Sequence, residues 1–200
     1  MTEIVNGIST IFGASWAAGV RLYMTIAALG LAQRFGWMDL PGNLDRLGHP
    51  LVILIAGVLT VVEFLGDKIP IADSVMDAVN TFVKPAGGAA IAWLAVGDTA
   101  PLIQWASAGL GGGISLVTHA VKATTRAAVN TSPEPVSNVV TSAAEDGLAA
   151  GGLWLLIANP IVMAVLVVGF LIFAVWFLRK MGKVFSRIFR FFFRSPEAVV

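Results

Sequence analysis

Apolar residues gather into six stretches along this chain, parted by prolines, glycines and small clusters of charge. The first runs from about Ala14 to Phe35, behind an amphipathic lead-in over 1–12, and the second from Pro50 to about Leu65. Between 67 and 84 the pattern changes. Val75, Met76, Val79, Phe82 and Val83 recur at helical spacing opposite Asp77, Asn80, Thr81 and Lys84, which predicts a short helix lying in a membrane interface. Ala86 to Val96 follows as a third apolar stretch, too short to span alone, and Gly97-Asp98-Thr99 parts it from a fourth over Pro101 to about Val121. Glycines at 109, 111, 112 and 113 interrupt that fourth stretch, so broken helices are one expectation near 97–113. A loop, TSPEPVSN, leads to the fifth, Val139 to Ala158, and Asn159-Pro160 reverses the chain into the sixth, Ile161 to Leu178. Measured against the roughly 20 residues needed to cross a bilayer, the pattern predicts an all-α, polytopic membrane helix bundle. It has about six transmembrane helices over 1–178 and a basic, aromatic tail helix over 179–200.

Composition strengthens that reading. With 57% hydrophobic and 12% charged residues and a mean hydropathy of +0.84, the chain has too little polar surface to cover a soluble domain. The opening MTEIVNGIS carries one acid and no base, unlike a cleaved secretory signal, so the first helix is expected to be retained. The absence of cysteine excludes disulfides, thiolate metal sites and cysteine nucleophiles.

The net charge of +1 hides an uneven distribution, because six of the 13 Lys and Arg residues lie between Arg179 and Arg194. Lys183, Arg187, Arg190 and Arg194 step by four, three and four residues and so share a helix face, with Val184, Phe185, Ile188, Phe189 and Phe192 around the rest. Such a helix fits the anionic inner leaflet of a membrane, at about 1 kcal/mol of attraction per base. Nucleic acid is not the expected partner, since the phenylalanines need cover from lipid or protein. Placing the tail in the cytoplasm predicts a multi-pass protein of the cell inner (plasma) membrane with both termini cytoplasmic.

Charges inside apolar helices cost at least ~2.5 kcal/mol each on insertion scales, so they mark a partner or a wet cavity. Arg21 lies about 10 Å into the first stretch at ~1.5 Å per residue. Glu63 and Asp67, and again Asp73 and Asp77, are spaced four apart, which puts each pair on one helix face. His119, Lys122 and Arg126 share a face at the end of the fourth stretch, and Glu145 and Asp146 open the fifth. All ten fall in the cytoplasmic half of the expected topology. They predict either an ion-pair network holding helices in register or a hydrated site for an ion, proton or small polar solute. Six carboxylates also leave a divalent cation open, although no cofactor is evident from any motif. Gly109 with Gly113, and Gly147 with Gly151, form G-x-x-x-G steps that permit close helix approach, and homo-oligomerisation is left open.

Three segments, AAGVRLYMTIAALGLAQRFG at 17–36, EFLGDKIPIADSVMDAVNTFVKPAGG at 63–88 and THAVKATTRAAVNTSPEPVSNVVTSAAED at 118–146, resemble the bacterial membrane proteins catalogued as domain of unknown function 4126. The resemblance covers most of the chain except the basic tail, and it implies an integral membrane protein without implying an activity. The leading expectation is therefore a small transporter or channel for an ion or small polar solute, with the charged cluster as its site. A membrane enzyme acting on a lipid or isoprenoid phosphate is weaker, because H-E-x-x-H, G-x-S-x-G and P-loop motifs are missing. A non-catalytic scaffold or assembly factor fits if the cluster is dry.

Overall fold

The computed structural model describes residues 2–129 and 135–193 and is helical throughout. Six α-helices follow one another: α1 (Thr2–Arg34), α2 (Pro50–Gly66), α3 (Pro70–Ala95), α4 (Pro101–Val129), α5 (Pro135–Ala158) and α6 (Pro160–Phe193). A 3-10 helix, Gly42–Gly48, stands between α1 and α2. Proline opens five of the six α-helices or sits in their first turn, where its missing N–H costs nothing. Of the TSPEPVSN loop, which spans 131–138, residues 131–134 lie outside those described, and 135–138 are not loop but the first turn of α5.

α1 is not one rod. Arg21 has φ −143° and ψ 86°, so the helix is broken there into two arms. A straight helix from Gly7 to Arg34 would run about 40 Å at ~1.5 Å per residue, and the chain from there to Pro41 reaches at most about 25 Å even fully extended. Yet a Cβ added at Gly7 would lie 3.9 Å from Pro41 Cβ. The arms therefore fold back on each other, with Arg21 at the apex and both open ends near the Trp37 loop. Asn6, Gly7 and Thr10 of the first arm line a cavity there with Trp37 to Gly42 and with Ile157 and Pro160 of the α5–α6 turn.

The remaining helices pack around this hairpin. α3 and α4 run antiparallel, with Gly88 and Gly111 facing each other: a Cβ on Gly88 would sit 2.8 Å from the Gly111 carbonyl oxygen. The first arm lies against both, since a Cβ on Gly19 would meet Ser115 O and Thr118 Cβ at 2.6 Å. Its other side meets α5 and α6, where Trp16 stacks edge-on to Phe170 at 6.0 Å. Ala14, Ala17, Ala18, Leu22, Leu29 and Ala32 of α1 are all buried, whereas α2 and α6 expose Leu54, Val58, Val62, Val165, Ile172 and Phe173. The hairpin is thus the core, and apolar helix faces form the outside.

Several expectations need correction. The interfacial helix over 67–84 and the short stretch over 86–96 are one helix, α3, which passes Pro85 without ending. Its polar face is not interfacial but turned into the bundle, which is why the segment looked amphipathic. The glycine run at 109–113 stays helical within α4, and the break falls instead at Arg21. Gly109, Gly113, Gly147 and Gly151 would each accept a Cβ with nothing within 4 Å, so neither G-x-x-x-G step makes a close contact among the described residues. Close approach uses Gly19, Gly88 and Gly111.

By length and apolar composition two stretches could cross a membrane, Ile4–Arg34 and Pro160–Val184, or three if Gly42–Gly48 and Pro50–Gly66, bent by 74°, act as one. Six spans are therefore not reproduced by apolar length, because α3, α4 and α5 carry the charged residues that lower their hydropathy. The start of α1 lies at the Trp37 end of the bundle. α6 begins at that end and runs away from it, so the start of α1 and the far end of α6 stand at opposite ends of the bundle. α6 passes 178 without interruption into the basic segment. Lys183 and Arg187 are exposed on it, Arg190 belongs to the same helix, and Arg194 lies outside the described residues.

Candidate functional site

Every α-helix except α6 delivers a charged residue to one place. The apex of α1 brings Arg21, the end of α2 brings Glu63 and Asp67, and α3 brings Asp73, Asp77 and Lys84. α4 adds His119, Lys122 and Arg126, and the first half of α5 adds Glu145 and Asp146. The four-residue spacing on α2 works as the sequence implied. Glu63 and Asp67 point inward together, with Asp67 capping the helix by donating its N–H to the Glu63 carbonyl at 3.0 Å.

Acids and bases interleave. The Arg21 guanidinium binds Asp67 through Nη1 and Asp146 Oδ1 through Nη2 at 2.7 Å, with Glu63 at 3.9 Å and Glu145 at 4.0 Å. Lys122 Nζ bridges Asp67 Oδ2 at 3.1 Å and Glu145 Oε2 at 3.4 Å. Arg126 grips Glu145 with both prongs, Nε to Oε1 and Nη2 to Oε2, each at 2.9 Å. It also lies 3.5 Å from Asp67 and 3.7 Å from Asp73. Such a planar fork is what arginine offers and lysine cannot. Asp77, half-buried, forms no ion pair among the described residues.

The structure brings together all ten candidates of the cluster and adds an eleventh. Lys84 is wholly buried, with Nζ 2.9 Å from Glu63 Oε1 and donating at 2.8 Å to the Val20 carbonyl. Val20 is the last residue before the break in α1, so its carbonyl belongs to a helix end, where partial negative charge favours a cation. Ser115 Oγ donates in turn to the Lys84 carbonyl at 2.8 Å. Lysine 84 was legible only as part of a polar face. The signal for its role was its place on the same face as Asp73 and Asp77, and Pro85 concealed it by suggesting a helix boundary.

His119 is buried, with Nε2 3.2 Å from Thr81 Oγ1 and 3.3 Å from the Asp77 carbonyl oxygen. Among the described residues no three His, Asp or Glu side chains are placed to hold a metal ion. The bases standing between the carboxylates account for that.

Most of the site is sealed. The Arg21 and Glu63 side chains are 2% and 1% exposed, but Glu145 reaches 11% and Asp146 23%. Asp146 and Arg21 stand at the wall of a cavity of about 440 Å³ between α2 and α5, lined also by Met24, Thr60, Val61 and Phe64, whose surface is almost wholly apolar. The tail bases Lys183 and Arg187 lie far along α6 and take no part in this cluster.

Neither the curated proteins nor the solved structures give a match. A family model does, over residues 8–180, which takes in the whole charged cluster and stops at the start of the basic tail. The chain accordingly belongs to the family described as Domain of unknown function (DUF4126).

Proposed function

We propose that this protein is a small membrane transporter or channel for an ion or small polar solute, and that the buried charge cluster is its site. The observation that carries the reading is the break at Arg21. A helix that stops and restarts inside a bundle places two helix ends, of opposite partial charge, beside the cluster, an arrangement that membrane transporters use to bind ions and polar groups. Lys84 at the Val20 carbonyl answers the negative end. A bundle that needed only bracing would have no need of a broken core helix.

In a membrane we place α2, α3, α4, α5 and α6 as crossings and α1 as a re-entrant hairpin. The basic end of α6 faces the cytoplasm by the positive-inside rule, and the start of α1 faces the other side. Trp37, Trp105 and Trp154, all strongly exposed, then ring the outer boundary, with Trp176 toward the inner one. α2 from Pro50 to Glu63 and α5 from Asp146 to Ala158 each run about 20 Å at ~1.5 Å per residue. Against a hydrocarbon core of about 30 Å, the cluster lies roughly two-thirds of the way in from the outer side.

The test is flux through purified protein in liposomes, assayed for monovalent cations, anions and small zwitterions. Glu63→Gln, Asp67→Asn and Glu145→Gln are each expected to lower the flux at least fivefold. Wild-type flux in all three would remove the cluster from the mechanism.

A further inference from the structure

Lys68 stands apart from the charge cluster, although it follows Asp67 in the chain. Its ammonium donates at 3.0 Å to the Phe64 carbonyl and lies 3.0 Å over the centre of the Phe64 ring. It pairs with no carboxylate among the described residues. Part of its role is local, since a cation there satisfies one of the last carbonyls of α2 and meets the partial negative charge of the helix end. An ammonium has three N–H donors, and that contact uses one.

The Phe64 ring beneath that ammonium is also a wall of the cavity of about 440 Å³ between α2 and α5. Met24, Val61 and Ala150 share the wall, and almost all of its surface is apolar. Ordered water needs about two to four polar partners, which such a wall does not offer. Gly147 keeps the groove open, because a Cβ there would meet nothing within 4 Å. Val58, Val62 and Leu65 beside it on α2 are exposed, so the groove lies among side chains that lipid has to cover. Thr60, Phe64 and Lys68 step by four along α2, and the Lys68 N–H still reaches the Leu65 carbonyl at 3.3 Å, so the groove leads to the ammonium. On the membrane placement above, Lys68 stands ~7 Å beyond Glu63 at ~1.5 Å per residue. That is close to the inner edge of a hydrocarbon core of about 30 Å, where headgroups begin. A cation at headgroup depth with an apolar slot leading inward matches the two ends of an acidic lipid. The cluster does not oppose an anion there, since Glu63, Asp67, Asp73, Glu145 and Asp146 are all held by bases.

We propose that the α2–α5 groove binds an anionic phospholipid of the inner leaflet, with one acyl chain against Phe64, Val61 and Ala150 and the phosphate on Lys68. The proposal rests on the membrane placement and not on what the cluster carries. An acyl chain in the groove covers the Arg21–Asp146 ion pair from the side, because both residues border the same cavity. It thereby keeps water from the edge of the cluster. The site is separate from the exposed bases of α6, Lys183 and Arg187, which do not line the groove.

The test uses the full chain in phosphatidylcholine vesicles holding a trace of lipid with a photoreactive diazirine on one acyl chain. The probe is made once as phosphatidylglycerol and once as phosphatidylcholine, and labelled peptides are mapped by mass spectrometry. Phosphatidylglycerol is expected to label 60–64 and 146–150 at least threefold more than phosphatidylcholine does. Val162 and Val165, exposed on the first half of α6, should take both lipids equally. Lys68→Gln should erase the preference and Lys68→Arg should keep it. Ala150→Trp should lower labelling of 60–64 at least threefold by filling the groove. Gly151→Leu should not, because Gly151 borders a different cavity, between α5 and α6, and is open to a side chain. Equal labelling by the two lipids, or a preference that survives Lys68→Gln, would overturn the proposal. Cross-links from α2 of one copy to α5 of another in place of lipid label would overturn it too, since the groove would then hold a second copy. In each of those cases label at Val162 and Val165 leaves the membrane placement standing, whereas no lipid label on α2, α5 or α6 would take down both.

Discussion

Lys84 illustrates how tightly single residues are tied into this protein. Its ammonium has two partners, the Glu63 carboxylate and the Val20 carbonyl, and no exposure to water. Removing one partner of a buried ion pair leaves the other charged and unpaired, at a cost of about 3–5 kcal/mol. Lys84→Met is therefore expected to lower stability by about that much, and Glu63→Gln added to it should recover most of the loss. Thermal unfolding in detergent, followed by the monodisperse fraction, measures both. A non-recovering double variant would mean that the Val20 carbonyl, not the carboxylate, is what Lys84 chiefly serves. Arg126→Lys asks a gentler question, because the charge stays while the two-pronged grip on Glu145 is lost. One charge-assisted hydrogen bond is worth about 1.5–3 kcal/mol, so the same assay should show a smaller drop than for Lys84→Met.

At the scale of elements, the hairpin of α1 and the glycine contacts around it give the sharpest expectations. With no native cysteine to interfere, Ile4→Cys and Phe35→Cys should both react with an impermeant thiol reagent from the same side of a sealed vesicle. A single straight span would separate them. Gly19→Ala and Gly111→Ala should each cost about 1–3 kcal/mol by overpacking, because their new methyl groups meet the Ser115 and Gly88 carbonyls at 2.6 and 2.5 Å. Gly109→Ala and Gly147→Ala should cost little, since both positions are open. Sequence gave little warning of either feature. The apolar run around Arg21 reads as continuous because a break in φ and ψ leaves no mark on hydropathy, and a G-x-x-x-G step states that close packing is permitted, not where it occurs. What spacing could convey, it did: Glu63 with Asp67, and His119 with Lys122 and Arg126, lie on the faces their intervals required. Their convergence with Arg21 and Glu145 depended on how helices stack, and that is written in contacts between distant segments rather than in any local period.

Across the whole molecule, one broken helix alters the count of crossings we propose and hence the proposed sidedness of the chain. Six straight spans would return the chain to the side where it began, with Ile4 and Arg187 on one face. On the proposed placement the hairpin removes one crossing, because the chain enters and leaves α1 at the same end of the bundle, where Gly7 nears Pro41. In that placement five helices then remain to carry it across, and an odd number exchanges the faces. α6 has the length for the last crossing, since Pro160–Phe193 extends about 50 Å at ~1.5 Å per residue, well beyond a core of about 30 Å. Its surplus carries Lys183 and Arg187 clear of the bundle on the side opposite the Trp37 loop. Ile4→Cys and Arg187→Cys, labelled separately in right-side-out and inverted membrane vesicles, are accordingly expected to show opposite patterns, with Arg187→Cys reacting only in the inverted ones. Matching patterns would restore an even number of crossings, and α1 would then have to open at Arg21, pulling the guanidinium away from the carboxylates that hold it.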